Sequence, residues 1–384
     1  MHKRKGRRLP PLSLTDSLKH VLNNPKTLVQ RTSLSFSPVS IFPAIHLPSP
    51  LECFKGAKFS PDGTCVLTAL NRQCLIYEPA VLTHATVTVG EGEPIYAYSW
   101  YPGMNSQQAE TCCFATVCKN TPIHLWDAYH SNQLRASYQL KTQMLEPVWA
   151  LSVELTSTRV FAGLDNFVYS WDISIPGLPL ERIPAVVRGG RRKRGMVSCM
   201  DFNSRQGLGA FGTYSGYVLL NNMDSSNTGE MESEVLVFAC GVSQVKFSPI
   251  KDFYLFVSGR RSVEIICLDV RQTSHQAVVQ RFPRSCVNNQ KLEFDLCGSL
   301  IAFGDGAGGL QVWDTDDSSG PVGQIDLGLG VVNGVSFNPS TLTQLKEIAI
   351  TTGTRPKPQL VLSDSEGEEE EVSVPSGVMV WSYH

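Results

Sequence analysis

The densest run of charge in the chain is RGGRRKRG, which contains Arg188, Arg191, Arg192, Lys193 and Arg194. Guanidinium groups bind phosphate oxygens through paired, parallel hydrogen bonds, so this run could hold the backbone of a nucleic acid. The formal net charge of the whole chain is only −2, because acidic residues lie elsewhere. A local patch therefore matters more than the total charge. The alternative is a loop whose charges only keep the surface solvated, and charge alone leaves both interpretations open.

Three other segments have the residue types of catalytic or cofactor sites without the required context. GDGAGG at 304–309 outlines a dinucleotide-binding fingerprint, yet a strand follows it where a helix N-terminus would have to hold the pyrophosphate. GTYSG at 212–216 lacks the spacing of a serine nucleophile elbow. His124 lies in a strand segment and is interpreted as a packed histidine rather than a general base. The sequence therefore predicts a protein that is not an enzyme and takes no cofactor.

Cysteine usage favours a reducing compartment, the cytosol or the nucleus. The eleven cysteines are an odd number and are scattered, and no N-x-Ser/Thr glycosylation sequence is present. Cys112, Cys113 and Cys118 lie closest together, but no second Cys/His pair at zinc-finger spacing completes a metal site. No apolar run is long enough to predict a membrane span. The basic start, MHKRKGRR, precedes no apolar segment, so it is either a nuclear import signal or a solvated tail.

A repeat along the chain predicts the elements that position these residues. Trp126-Asp127 and Trp171-Asp172 lie 45 residues apart, and Trp313-Asp314 follows after 142 more, close to three further periods. Degenerate copies occur at Tyr77-Glu78, 219–222, Leu268-Asp269 and the final VMVWSYH. This period is typical of WD40 β-propellers, in which one blade cannot bury its hydrophobic face alone and must stack in a ring. We predict an all-β, seven-bladed WD40 β-propeller in which these Trp and Asp residues are structural.

The domain boundaries follow from composition. We expect a basic, disordered tail over 1–38 and a single propeller over 39–384, whose last blade is closed by a strand from VSIFPAI at 39–45. An acidic loop over 358–376, which contains SDSEGEEEE, has too much like charge to fold and is expected to be disordered. Ser363 and Ser365 each precede an acidic residue by three positions and are possible phosphosites, although a merely solvated loop is favoured.

Propeller topology predicts that the basic run shares a face with other cations. The loop between blades three and four opens on the same face as the loops that join second to third strands. Those loops contribute Arg72, Lys119, Arg260 and Arg261. Phe167 and Tyr214 lie near the same loops and could stack on unpaired bases. These residues, with 188–194, form a candidate RNA-binding face.

Four segments resemble the telomerase Cajal body protein family, the WD-repeat proteins encoded antisense to p53. They are PIYAYSWYPGMNS at 94–106, TPIHLWDAYHSNQLRASY at 121–138, SGRRSVEIICLDVRQ at 258–272 and GGLQVWDTD at 308–316. The likeness runs from Phe54 to Trp381, nearly the whole propeller, and the chain resembles a short, invertebrate-like member. Arg260 or Arg261 aligns with a basic pair of that family.

The resemblance implies a non-catalytic RNA-binding propeller in the nucleus. Such proteins recognise the CAB box of small Cajal body RNAs, and in vertebrates telomerase RNA, and concentrate box H/ACA ribonucleoproteins, which contain dyskerin, in Cajal bodies. It also implies a cytoplasmic stage in which the cytosolic chaperonin folds the chain. The alternative function is a protein–protein interaction scaffold without direct RNA binding, because the propeller fold alone does not decide function.

Overall fold

The computed structural model describes residues 34–43, 52–79, 84–140, 146–154, 158–187, 194–223, 231–272, 277–286, 289–317, 319–328, 330–339, 346–354 and 376–383. Within these ranges, twenty-eight strands form seven four-stranded antiparallel sheets, and the predicted all-β, seven-bladed propeller is confirmed. The 3₁₀ turn Ala109–Thr111 lies between strands of the second blade. In the described part of the chain, no helix has the length and apolarity of a transmembrane segment.

The first four blades follow the chain in order. Blade 1 contains β2 (Ala57–Phe59), β3 (Val66–Ala69), β4 (Gln73–Tyr77) and β5 (Val87–Gly90). Blade 2 contains β6 (Ile95–Trp100), β7 (Cys113–Cys118), β8 (Ile123–Asp127) and β9 (Leu134–Tyr138). Blade 3 contains β10 (Ala150–Glu154), β11 (Arg159–Gly163), β12 (Phe167–Asp172) and β13 (Glu181–Pro184). Blade 4 contains β14 (Val197–Asn203), β15 (Leu208–Thr213), β16 (Tyr217–Asn222) and β17 (Ser233–Leu236).

The last three blades complete the ring. Blade 5 contains β18 (Val242–Phe247), β19 (Tyr254–Gly259), β20 (Glu264–Asp269) and β21 (Val278–Pro283). Blade 6 contains β22 (Phe294–Cys297), β23 (Leu300–Gly304), β24 (Gly309–Asp314) and β25 (Pro321–Asp326). Blade 7 contains β26 (Val332–Phe337), β27 (Lys346–Thr352) and β28 (Gly377–Tyr383), and its outer strand is β1 (Phe36–Pro43) from the other end of the sequence.

The ring is closed by pairing between the two ends of the propeller. Strand β1 runs antiparallel to β28, from Phe36 opposite Tyr383 to Pro43 opposite Gly377. The predicted closure by an N-terminal strand is therefore confirmed, although the strand begins at Phe36 instead of Val39. The rest of the expected tail, 1–33, and the acidic run 363–371 with Ser363 and Ser365 lie outside the described residues. Strand β1 thus supplies the fourth strand of blade 7 and covers the edge that β28 would otherwise expose.

The hydrophobic core is a ring of seven layers, each shared by two neighbouring blades. Between blades 1 and 2, for example, Leu67 packs in one cluster with Trp100 and Phe114. Corresponding clusters lie at the other six interfaces of the ring. Each blade therefore buries its two faces only against its neighbours, which is the physical reason for the repeat.

The Trp-Asp pairs mark the ends of third strands. Trp126, Trp171 and Trp313 are buried between blades. The aspartate that follows each of them closes the next turn: the carboxylate of Asp127 accepts the backbone N–H groups of Tyr129 (2.7 Å) and His130 (2.8 Å). Asp172 and Asp314 accept the N–H groups of Ser174 and Asp316 in the same way, at 2.8 and 2.9 Å. Each pair thus combines a core side chain with a turn.

Candidate nucleic-acid interface

The residues predicted to bind RNA lie on one face of the ring wherever they are described. Because adjacent strands are antiparallel, loops from second to third strands and loops from one blade to the next emerge on the same side, called here the top face. This face carries Arg72, Lys119, Arg194, Arg260, Arg261 and Tyr214, with Phe167 at the start of β12. Arg188, Arg191, Arg192 and Lys193 lie outside the described residues.

Arg194, the last member of the basic run, has a carboxylate partner. Its guanidinium forms two hydrogen bonds with Glu234, one of them 2.6 Å long, and lies 4.0 Å from the ring centre of Tyr217. The hydrogen bonds from Glu234 raise the pKa of Arg194 above its usual value. The Arg194 carbonyl accepts the Ser215 hydroxyl at 2.6 Å. Arg194 therefore anchors the end of its loop, and its charge is already balanced.

Arg260, in the loop between the second and third strands of blade 5, lies beside Tyr214 of blade 4. The Arg260 guanidinium lies 5.7 Å from the Tyr214 ring centre and donates to the carbonyl of Asn289 at 2.8 Å. Arg261 is exposed and has a φ of 54°, a left-handed conformation that turns the loop after Arg260. Tyr214 is 42% exposed. An arginine beside an exposed aromatic ring is a combination that binds both the phosphate and the base of a nucleotide.

The other predicted residues are spread around the same face. Arg72 and Lys119 are exposed in the second-to-third-strand loops of blades 1 and 2. Phe167 is half-buried, and the guanidinium of Arg182 lies 3.5 Å from its ring centre. One face of the Phe167 ring is therefore covered by Arg182, which sequence reasoning did not select.

Sequence reasoning also missed an aromatic pair at the mouth of the central channel. The inner strands of the blades surround a channel of about 1180 Å³. At its mouth Tyr96 and Trp149 stack with ring centres 4.9 Å apart and planes 21° apart. Tyr96 is 36% exposed. A signal was present: PIYA at 94–97 and PVWA at 147–150 place an aromatic residue at the same point of two successive inner strands.

No family model matches the chain, whereas several curated proteins do. Telomerase Cajal body protein 1 of Mesocricetus auratus is 32% identical over 340 residues, which cover 82% of this chain and 61% of that protein. The Homo sapiens protein of the same name is 30% identical over 343 residues, 83% of this chain and 60% of the relative. A Drosophila melanogaster homolog is 27% identical over 309 residues, 74% of this chain and 55% of the relative.

The chain belongs to the telomerase Cajal body protein 1 family. It spans about three fifths of the length of the curated relatives it matches. In this family member, PIYAYSW supplies β6 and so places Tyr96 at the channel mouth. PIHLWDA supplies β8, and SGRRSVEIICLD supplies the Arg260–Arg261 loop and β20. The segments that carry the family resemblance thus include parts of the top face.

In this member of the telomerase Cajal body protein 1 family, a buried polar network joins the loop between blades 1 and 2 to strands β7 and β8 of the second blade. The carboxylate of Glu91, in the loop before β6, accepts the indole N–H of Trp126 at 2.9 Å and contacts His124 Nδ1 at 3.0 Å. It also accepts the Thr116 hydroxyl. Burial alone would raise the pKa of Glu91, but these hydrogen bonds outweigh burial and lower it. His124, considered above as a general base, is part of this structural network.

Inside the channel, charge is largely matched. Lys246 pairs with Asp295, and Lys291 Nζ lies 2.9 Å from a carboxylate oxygen of Glu293. Burial raises the pKa of Asp201 to about 6, and its carboxylate accepts the Phe247 N–H at 2.7 Å. The channel walls are therefore tied together by ion pairs and hydrogen bonds between blades. Among the described residues, no group of three or more His, Cys, Asp and Glu side chains is placed to hold a metal ion.

Proposed function

We propose that this chain is a non-catalytic RNA-binding scaffold. It recognises the CAB box of small Cajal body RNAs, and telomerase RNA where that RNA is a target, and brings box H/ACA ribonucleoproteins to Cajal bodies in the nucleus. The names of the relatives point to telomerase and the Cajal body. The observation that carries the proposal is the top face, where the exposed rings of Tyr96 and Tyr214 lie at or near the mouth of a channel that Lys55 and Arg260 also line.

The physical argument for RNA rests on what a hairpin loop offers. Its bases are unstacked, and sequence-specific recognition of RNA usually targets such bases by stacking and by hydrogen bonds to their edges. The phosphates of the loop supply negative charge, which arginine and lysine on the same face attract. A ring with aromatic and cationic groups on one face meets both requirements.

The proposal includes two kinds of protein partner. Box H/ACA proteins such as dyskerin would join through the bound RNA or directly. The cytosolic chaperonin would assist folding, which is consistent with the closure of the ring by β1 and β28, since Ser37 and Ser382 must meet although they are 345 positions apart. Contacts between such distant residues slow folding.

Crosslinking and sequencing of RNA bound to the protein in cells tests the proposal. The informative variant changes Arg188, Arg191, Arg192 and Lys193 to Gln and leaves Arg194, whose charge Glu234 balances. Enrichment of box H/ACA small Cajal body RNAs at their terminal loops is expected for the wild type. In vitro, loss of four phosphate contacts lowers the salt slope by about 2.8, at about 0.7 per contact for single strands. Absence of RNA enrichment in the wild type would overturn the function.

The control for that experiment is Arg205→Gln. Arg205 lies between β14 and β15 on the opposite face of the ring, and its side chain is 57% exposed. Removing this charge should leave the salt slope unchanged. A decrease of about 0.7 in the salt slope for Arg205→Gln, one quarter of the decrease expected for the four-residue variant, would show that only the total charge matters, and not the top face.

The second candidate function, a protein–protein scaffold, is favoured by one observation. In the loop between β12 and β13, Ile175, Leu178 and Leu180 are 63%, 53% and 55% exposed. Exposed apolar residues in a cluster are typical of protein contacts. Binding of a protein partner through this loop would depend little on salt and would be lost on changing the three residues to Ser, and the wild type would show no direct RNA binding.

A further inference from the structure

The mouth of the channel contains one structurally equivalent position in each of six blades, called here the rim position. The position is defined from the pairing of each inner strand with the second strand of its blade. It lies two residues before the inner-strand residue that occupies the same place in that pairing, namely Ala57, Tyr98, Leu151, Met200, Val245 and Val335. The rim residues are Lys55, Tyr96, Trp149, Ser198, Ser243 and Asn333. In blades 1 and 3 the backbone geometry is the same, because Lys55 N–H and Trp149 N–H each donate to the second strand at 2.8 Å.

In blades 4, 5 and 7 the rim side chain is used to tie the fold. The Ser198 hydroxyl donates to the carbonyl of Val242 in the next blade at 2.6 Å. The Ser243 hydroxyl lies 3.1 Å from the carbonyl of Ser258, and the Asn333 amide donates to Gly353 at 3.2 Å. A small polar side chain at the rim position is therefore enough to make the hydrogen bonds that hold the strands and blades together there.

Blades 1, 2 and 3 have three large side chains in succession at this position, and Lys55 still ties blade 1 to blade 2, as Ser198 ties blade 4 to blade 5. Tyr96 lies at a β-bulge between Ile95 and Ala97, and blades 4, 5 and 7 have the same bulge, so the side chain and not the backbone distinguishes blade 2. Tyr96 stacks on Trp149 and stays 36% exposed. Lys55 Nζ donates to the carbonyl of Ile95 at 2.9 Å, which places the ammonium beside the Tyr96 backbone. Its contacts with Asn71 are longer, 3.3 and 3.5 Å, and exposed.

A fourth group lies just inside the channel. Tyr98, two residues after Tyr96 on the same strand, also lines the channel and is 5% exposed. Its hydroxyl has no hydrogen-bond partner within the described ranges. A buried hydroxyl without a partner costs free energy, but this oxygen is enclosed by the fold, so the subsite consists of the three rim residues alone.

We propose that Lys55, Tyr96 and Trp149, called here the rim cluster, bind one unpaired nucleotide of an RNA loop. This inference rests on the proposed RNA-binding function and assigns a base-binding subsite to it. The base stacks on the aromatic pair, and the nucleotide phosphate contacts the Lys55 ammonium. Stacking of this kind accepts any base, so the subsite supplies affinity more than sequence selection.

The charge of the rim cluster favours a nucleotide over the organic cations that bind other aromatic sites. Paired aromatic rings also attract organic cations such as methylated lysine. Here the Lys55 ammonium lies beside the pair and would repel a cation. A flat ring that carries a negative group satisfies both the stacking surface and the charge.

Binding of a hairpin RNA with about eight unpaired loop nucleotides, measured by fluorescence anisotropy over a range of salt concentrations, tests the inference. The double variant Tyr96→Ala with Trp149→Ala should bind this RNA about 5- to 150-fold more weakly, at about 1–3 kcal/mol per stacked base. Its salt slope should not change, because no phosphate contact is removed. Lys55→Met should instead reduce the slope by about 0.7.

Two controls keep structural damage separate from lost stacking. Tyr96→Phe retains the ring and should bind as the wild type does. Tyr129→Ala removes an aromatic ring that is 48% exposed on the opposite face, and it should also have no effect. Photocrosslinking of the unaltered protein to the same hairpin with 4-thiouridine in its loop, mapped by mass spectrometry, should give adducts on β6 or on the segment before β10.

The outcomes distinguish the subsite from the function it serves. If the wild type binds the hairpin, and the double variant binds equally well while crosslinks lie only near Arg260 and Tyr214, the rim cluster is refuted and RNA binding stands. If the wild type does not bind the hairpin at all, the proposed function itself is refuted. Weaker binding by the double variant, an unchanged slope and crosslinks at the rim cluster together support the inference.

Discussion

Removal of the Glu91 carboxylate is expected to destabilise the propeller strongly. The side chain is 2% exposed and accepts hydrogen bonds from Thr116, Trp126 and, when Nδ1 carries the proton, His124. Breaking a buried, hydrogen-bonded charged network by deleting one member costs about 3–5 kcal/mol. Glu91→Ala should fall near the lower end, about 3 kcal/mol, because Trp126 Nε1 keeps a second acceptor, the Thr116 hydroxyl, at 3.0 Å. Against a typical total of about 5–15 kcal/mol, this is a large loss.

The pH dependence gives the prediction a second, independent readout. The pKa of Glu91 is lower in the folded protein than its usual 4.5, so the unfolded chain binds more protons near that pH. Its stabilising contribution is therefore complete above pH 4.5 and is lost as the pH falls through the lower, folded pKa. The destabilisation caused by Glu91→Ala should accordingly shrink on acidification.

Urea unfolding followed by tryptophan fluorescence measures the effect, with unfolding rates compared if refolding is incomplete. The matched control is Glu181→Ala in blade 3, where Glu181 pairs with Arg159 at 2.9 Å and both side chains are about one third exposed. Such a surface pair contributes at most about 1 kcal/mol. The reasoning is refuted if Glu91→Ala costs no more than Glu181→Ala, or if its cost stays constant from pH 7 to pH 3.

Three further predictions concern other parts of the ring. Asn221 is buried at a position where blade 5 has Leu268, and neither polar atom of its amide has a hydrogen-bond partner in the described structure. Asn221→Leu should therefore raise the midpoint of urea unfolding, because it removes a penalty of about 1–3 kcal/mol. A lower midpoint would contradict this. Deletion of 1–43 removes β1 and should produce aggregation that size-exclusion chromatography detects, whereas deletion of 1–33 should leave a monodisperse protein; equal behaviour of the two would argue against closure by β1. Deletion of the acidic run 363–371 should tighten RNA binding at low salt if the run competes with RNA for the top face, and equal or weaker binding would exclude that competition.

Much of the fold was predictable because the repeat is a local signal. Each blade carries its own strand pattern and turn, and the Trp-Asp pairs fix the ends of the third strands without reference to distant residues. Closure was also predictable, because the last blade lacked a fourth strand and one short strand remained unassigned. The strand begins three residues earlier than predicted because Phe36 pairs with Tyr383 and packs against blade 6. That contact joins residues far apart in the sequence.

The candidate site was less predictable, for physical reasons that particular residues illustrate. The sequence predicted that Arg194 binds phosphate, because it belongs to a run of basic residues. Its partner Glu234 lies forty positions away, and no local sequence pattern indicates this ion pair. Tyr96 and Trp149 resemble ordinary inner-strand residues in the sequence. Only the packing of blade 2 beside blade 3 stacks the two rings. The basic loop and the acidic run remain predictions.

Closure of the ring and the rim cluster are physically linked through blade 1. Phe54, directly before Lys55, receives hydrogen bonds from blade 7, since the Asn333 amide donates to its carbonyl, and its own N–H lies 3.4 Å from the Ser376 hydroxyl. Opening of the seam between blades 7 and 1 would therefore displace Lys55 first. A ligand that contacts both Lys55 and Trp149 binds only the closed ring. It must therefore stabilise the closed ring, and this stabilisation grows with the logarithm of the ratio of ligand concentration to dissociation constant. Hairpin RNA should thus slow urea unfolding of the wild type. At the same RNA and salt concentrations, the Tyr96→Ala, Trp149→Ala double variant should be protected less, because its dissociation constant is higher.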